Sequence, residues 1–164
     1  MCLHLDRRSS HLLRLLQLRS GLERIIPERP LGLLQDIRPA QAEVLERRRR
    51  RLLGHADRVL LDVPCSGLGV LKRNPDAKWR DTAERLPVLM ELQKHILSSY
   101  SRMVKVGGIV VYATCSIFPC ENRGQVDAFL AENPNFRLLE DETISPADTG
   151  FDGFYLAKLE RIQE

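Results

Sequence analysis

The chain has 164 residues, 43% of them hydrophobic and 29% charged, with a formal net charge of +3. That size suits one domain with an ordinary core, and no apolar run approaches the roughly 20 residues that span a bilayer, so no membrane role is expected. Arg7, Arg8, Arg14 and Arg19 break up the start, which makes it a poor secretory signal, and four cysteines without metal-ligand or disulfide-scaffold spacing suggest reduced thiols in an intracellular protein that holds no metal.

The charge is unevenly divided. Residues 1–54 carry twelve Arg against six acidic residues, while the rest of the chain has thirteen basic and sixteen acidic residues. The same first segment holds fourteen Leu and no Lys, Phe, Tyr or Trp. Three readings stay open for residues 1–54. They form a partly helical basic arm for nucleic acid, with Arg47 to Arg51 on phosphate; or the Arg run is a solvated helix face; or the stretch is not the native reading frame of its gene.

From residue 39 onward the elements alternate. Pro39 opens a helix-compatible run, Ala40 to Leu53, which Gly54 can cap. Asp57 to Asp62 reads as a buried strand, and Pro64 to Asp76 as a loop rich in Gly and Pro. Ala83 to Val104 predicts a long amphipathic helix, with Leu86, Leu89, Leu92, Ile96 and Met103 near helical period. Gly107-Gly108 make the turn into a second buried strand, Ile109 to Thr114. Glu121 to Glu132 is a helix ended by Asn133-Pro134, Phe136 to Leu139 a third strand, and Phe154 to Leu159 a fourth. Strands alternating with helices predict a doubly wound α/β sheet, mostly parallel, whose last two strands pair antiparallel at one edge.

Two cysteines occupy matching settings fifty residues apart. Cys65 follows Leu61-Asp62-Val63-Pro64, and Cys115 follows Val111-Tyr112-Ala113-Thr114. Each closes an apolar run read as a strand, so both thiols fall at the carboxyl edge of the sheet. Ligands bind at that edge in open α/β sheets, and Asp62 would share the crevice. A lone cysteine at a strand end is more often packing than chemistry. Asp62 also has a plain role as a turn cap before Pro64.

Further motifs accompany the pair. Asp57 to Gly67, then Asn74-Pro75-Asp76-Ala77-Lys78-Trp79, then Tyr112-Ala113-Thr114-Cys115-Ser116, then Glu121-Asn122, and finally Asp152-Gly153-Phe154 resemble the RNA cytosine-5 methyltransferases of the RsmB/NOP2/Sun type, in order and at compatible spacing. The resemblance covers about residues 55–164, which it makes the C-terminal part of a methyltransferase catalytic domain. It implies a partial Rossmann-like fold and S-adenosylmethionine as cofactor. Its partner would be RNA, ribosomal or transfer, methylated at carbon 5 of cytosine, with a cytoplasmic location, nucleolar if eukaryotic.

Within that resemblance, Cys115 is the nucleophile that adds to carbon 6 of the base, and Cys65 assists its release. Asp62 lies against the cofactor and the base. A nucleophilic thiol needs a setting that lowers its pKa, and the helix amino terminus near Glu121 is expected to help. Lys72, Arg73, Lys78 and Arg80 suit phosphate contacts or ordinary surface charge. Trp79 suits base stacking, although a lone Trp is more often a core plug. Cys2 and Cys120 carry no motif.

The chain also departs from the pattern. The glycine-rich loop for the methionine part of the cofactor has no counterpart before residue 55. Gly21, Gly32 and Gly54 form no Gly-x-Gly, and Asp36 does not fit the acidic motif that takes the ribose. A sheet without its first strands would expose an apolar edge. Half of the cofactor pocket thus has no counterpart, so methyl transfer by this chain alone is expected to be impaired, and the alternative function is a non-catalytic remnant that binds RNA or a protein partner. A methyltransferase acting on an exocyclic amine fits less well, because it needs no nucleophilic thiol.

Overall fold

The computed structural model describes the backbone of residues 22–25 together with residues 47, 49–79 and 82–164. Its framework is a five-stranded mixed sheet in the order β1-β2-β3-β5-β4. The strands are β1 (Leu22–Ile25), β2 (Ala56–Asp62), β3 (Val104–Thr114), β4 (Phe136–Ile144) and β5 (Phe154–Arg161). β1, β2 and β3 run parallel, while β5 is antiparallel to both β3 and β4. The expected antiparallel edge hairpin is thus present, with β4 outermost.

Register explains the core. Val59 lies opposite Val110, which lies opposite Leu159, and Leu61 lies opposite Tyr112, which lies opposite Ala157. Side chains alternate along strands, so these residues share one face. That face packs on Ile96 and Leu97 of helix α1 (Thr82–Tyr100) and on Val126 and Phe129 of helix α2 (Arg123–Glu132). Removing each such Leu, Ile or Val from water contributes about 1.5–3 kcal/mol. Phe129 meets Phe136 edge-on at 5.1 Å, which pins α2 to the start of β4.

Several boundaries differ from the sequence expectation. α1 stops at Tyr100; Ser101–Met103 tighten into a 3-10 turn, and Val104 already belongs to β3. Gly107-Gly108 therefore lie inside a strand, at an irregularity where Ala56 faces Val104 but Arg58 faces Ile109. Gly107 has φ +77° there, and a Cβ on Gly108 would meet the Lys105 carbonyl at 2.8 Å. β4 extends to Ile144 rather than Leu139 because β5 pairs along its length.

The largest difference lies in the Arg/Leu-rich segment. β1 covers the outer edge of β2, so β2 is not the exposed apolar edge that the sequence suggested. Its two central residues are charged, so no strand periodicity marked it. The helix-compatible run from Ala40 is seen in its last turn, residues 47 and 49–52, and Gly54 follows at φ +71° in the expected cap position. Gly21, Gly32, Asp36, Cys2, Arg48 and Arg80 lie outside the described residues. No helix among the described residues is long and apolar enough to cross a membrane.

Candidate active site

β2 and β3 are neighbours and parallel, with Asp62 opposite Ala113, so the loops that leave their carboxyl ends emerge side by side. Val63 extends the pairing by donating its N–H to the Ala113 carbonyl at 3.1 Å. The chain then turns at Pro64, and Cys65 meets Cys115 with a distance of 3.4 Å between the two Sγ atoms. Both thiols are half-buried. The sequence reading placed them in one crevice; the structure places them in contact.

That contact splits their acidities. The thiol of Cys65 donates toward Cys115 and draws the Cys115 pKa below its ordinary value, against opposition from burial and from the charges of Asp62 and Glu121. Cys65 moves upward for the reciprocal reason, reinforced by its own burial. The two opposite shifts favour ionisation at Cys115 over Cys65. The expected help from a helix amino terminus is not the leading cause. α2 starts only at Arg123, and Glu121 brings a negative charge to the site instead. Asp62 ends β2 half-buried, close enough for its charge to act on Cys115.

The loops carrying the cysteines are tied through residues to which the sequence reading gave no site role. Gly69 donates its N–H to the Cys115 carbonyl at 2.9 Å and accepts from the Gly153 N–H at 2.7 Å. A Cβ at Gly69 would lie 2.3 Å from the Gly153 oxygen, so only glycine fits. Glu121 is fully buried, and its carboxylate accepts from the Ser66 N–H at 2.8 Å and the Ser66 hydroxyl at 2.6 Å. It also accepts from the Ser116 hydroxyl and from Gln93 Nε2. Tyr112, likewise buried, donates its hydroxyl to the Glu121 carbonyl at 2.7 Å. Thr114 bonds the Asn122 side chain, which in turn donates to the Ser116 carbonyl. Gln93, four residues after Leu89 and three before Ile96 on the apolar stripe of α1, was the available sequence signal for this network.

Other expected residues fall less centrally. Trp79 is 79% exposed, with Lys78 Nζ 4.9 Å from its ring centre, so it is not a core plug. Arg73 pairs with Asp152, and Lys72 donates to the Gly150 carbonyl, so both tie the Cys65 loop to the turn before β5. Cys120 is half-buried outside the pair. An open cleft of about 450 Å³ adjoins the site, lined by Leu68, Lys72, Ile117, Pro146 and Phe151 among others.

Residues 11–160 match the family model described as 16S rRNA methyltransferase RsmB/F, which takes in most of the Arg/Leu-rich segment as well as the cysteine motifs. The chain belongs to the RsmB/F family. Curated relatives named ribosomal RNA small subunit methyltransferase B agree. The one from Vibrio cholerae is 47% identical over 111 residues, covering 64% of this chain and 26% of its own length. The one from Sodalis glossinidius is 46% identical over 110 residues, covering 63% and 25%. This RsmB/F chain therefore spans about a quarter of the length of those relatives. Among solved structures, that of NSun6 from Pyrococcus horikoshii with SFG superposes at a TM-score of 0.63 and 22% identity, over 94% of this chain and 45% of that one. The two share the fold, and the expected Rossmann-like sheet is present.

Proposed function

We propose that this RsmB/F chain methylates carbon 5 of cytosine in ribosomal RNA, with S-adenosylmethionine as donor and a covalent adduct at Cys115. One observation carries the reading: two thiols in contact at the carboxyl ends of adjacent parallel strands, with ionisation favoured at Cys115. Family membership supports ribosomal RNA over transfer RNA.

The chemistry asks for that pair. Carbon 5 of cytosine is a weak nucleophile until a thiolate adds to carbon 6, which forms a C–S bond and moves the ring's electron pair to carbon 5. Cys115 supplies the thiolate. Release requires loss of the carbon 5 proton and cleavage of the C–S bond, and Cys65, in contact with the nucleophile, assists that elimination. Asp62 suits a cationic donor, because a half-buried carboxylate at the edge where three parallel strands end complements a sulfonium charge. Asp62 would hold S-adenosylmethionine there, and the bound donor supplies an electrophilic methyl group. The same carboxyl group would hydrogen-bond the base ring. The base has to be unpaired or flipped out of its stack to reach half-buried thiols.

The test uses the 164-residue chain, a small-subunit ribosomal RNA fragment and donor labelled on the methyl group. Weak transfer to cytosine is expected for the unaltered chain, whose sequence has no counterpart of the glycine-rich loop, and loss of that transfer for Cys115→Ala. Cys65→Ala is expected to accumulate a protein–RNA complex that survives denaturing gels. Retained transfer in Cys115→Ala would sink the assignment.

A further inference from the structure

We infer that Glu121 is a positioning residue whose buried carboxylate clamps the Cys65 and Cys115 loops together and so sets the contact between the two thiols. The inference rests on the proposed roles of those cysteines and adds a residue that touches neither RNA nor donor in that scheme.

Glu121 is fully buried, a rare position for a carboxylate unless its lone pairs are satisfied. Its acceptors are filled from three segments. Ser66, the residue after Cys65, contributes both its N–H and its hydroxyl. Ser116, the residue after Cys115, contributes its hydroxyl. Gln93 contributes Nε2 from the middle of α1. The two serines also bond each other at 3.1 Å. Each cysteine is thus one residue from a serine held by the same carboxylate.

Gln93 extends the clamp to the other side of Cys65. Its Nε2 donates at 2.9 Å to both the Pro64 carbonyl and Glu121 Oε1. Turning the amide over would face an oxygen against two acceptors, so this orientation is the only one the neighbours accept. Gln93 Oε1 has no hydrogen-bond partner among the described residues, a cost borne at a buried site. The residues flanking Cys65 are therefore held from α1 as well as from Glu121.

The negative charge itself works against a thiolate. Asp62 and Glu121 both disfavour ionisation of Cys115, while the Cys65 thiol favours it. Tyr112 lies in the same buried group, and its hydroxyl is engaged by the Glu121 carbonyl. If Glu121 acted only as a nearby charge, deleting it would make Cys115 more reactive. If it acts as a clamp, deleting it parts the thiols and makes Cys115 less reactive. The signs are opposite.

The experiment measures alkylation of Cys115 by iodoacetamide at pH 7, read by mass spectrometry, with Cys120 as an internal reference and no RNA or donor present. Glu121→Ala is expected to slow Cys115 on the order of tenfold as its ionised fraction falls back toward that of an ordinary thiol. Glu121→Gln keeps an oxygen for Ser66 and Gln93 and loses the charge, so it is expected to react at least as fast as the unaltered chain. Equal or faster alkylation in a folded Glu121→Ala, or equal slowing in both variants, overturns the clamp. Should Glu121→Ala not fold, the double variant Ser66→Ala, Ser116→Ala keeps the charge and removes two bonds to it. Slower alkylation there supports the clamp and an unchanged rate overturns it. Because only protein thiols are read, a positive clamp with no methyl transfer would discard the functional proposal alone.

Discussion

At the scale of single residues, the site's reactivity turns on the contact between the two thiols. Cys115 ionises below the ordinary thiol value because the Cys65 thiol donates to it. The alkylation rate of Cys115 as a function of pH is therefore expected to rise at a lower pH than for a free cysteine, which titrates near about 8.5. Cys65→Ala removes the donor and leaves the opposing burial and charges of Asp62 and Glu121. The profile must then move to higher pH, so that at pH 7 Cys115 reacts more slowly. A profile that stays put, or moves down, would mean that Cys65 does not govern the nucleophile. The proximity of the two thiols was legible from sequence because each follows an apolar run by the same logic, and parallel neighbours end on one edge. Glu121 was not, since its partners Ser66 and Gln93 lie 55 and 28 residues away and no local pattern joins them.

At the scale of elements, the strands from residue 56 onward were legible because hydrophobic runs bounded by turn residues mark strands whatever surrounds them. Their ends were not. Val104 leaves the helix and joins the sheet because pairing with β2 and burial compete there with a helical periodicity that Met103 still satisfies. β4 runs on through Glu140 and Glu142, charged residues that a central strand would not tolerate, because it is the edge. Loop stitching is harder still to read, and Gly69 is the case that tests it. Its backbone bonds join the Cys115 loop to Gly153 before β5, and an added Cβ would press on the backbone oxygens of both. Neither oxygen can swing aside as a side chain would. Gly69→Ala is expected to destabilise the fold by about 1–3 kcal/mol, the range for overpacking, and to lower the denaturant midpoint. A midpoint unchanged from the unaltered chain would mean that the three loops are not rigidly joined.

At the scale of the whole molecule, three parallel strands ending together create the edge on which the proposed donor site depends. β1 completes that edge on the side of β2 away from β3, so Asp62 ends the strand that lies between the one opening the sheet and the one leading to Cys115. The sequence could show Asp62 at a strand end but not β1 beside it, because Leu22–Ile25 gains its conformation from its parallel partner rather than from its own residues. If donor binds at this edge, it binds the folded chain and not the unfolded one, and stability must rise with its concentration. Linkage gives about 2.7 kcal/mol at a hundredfold excess over the dissociation constant. Thermal melts of the 164-residue chain with S-adenosylmethionine are therefore expected to shift upward in a dose-dependent way, and Asp62→Asn to lose most of that shift. The variant keeps the side chain's shape while removing the charge that complements a sulfonium. A melt insensitive to donor at every concentration would remove the cofactor from this chain's proposed chemistry while leaving the thiol pair untouched. A shift that survives in Asp62→Asn would instead move donor binding to other residues of the edge.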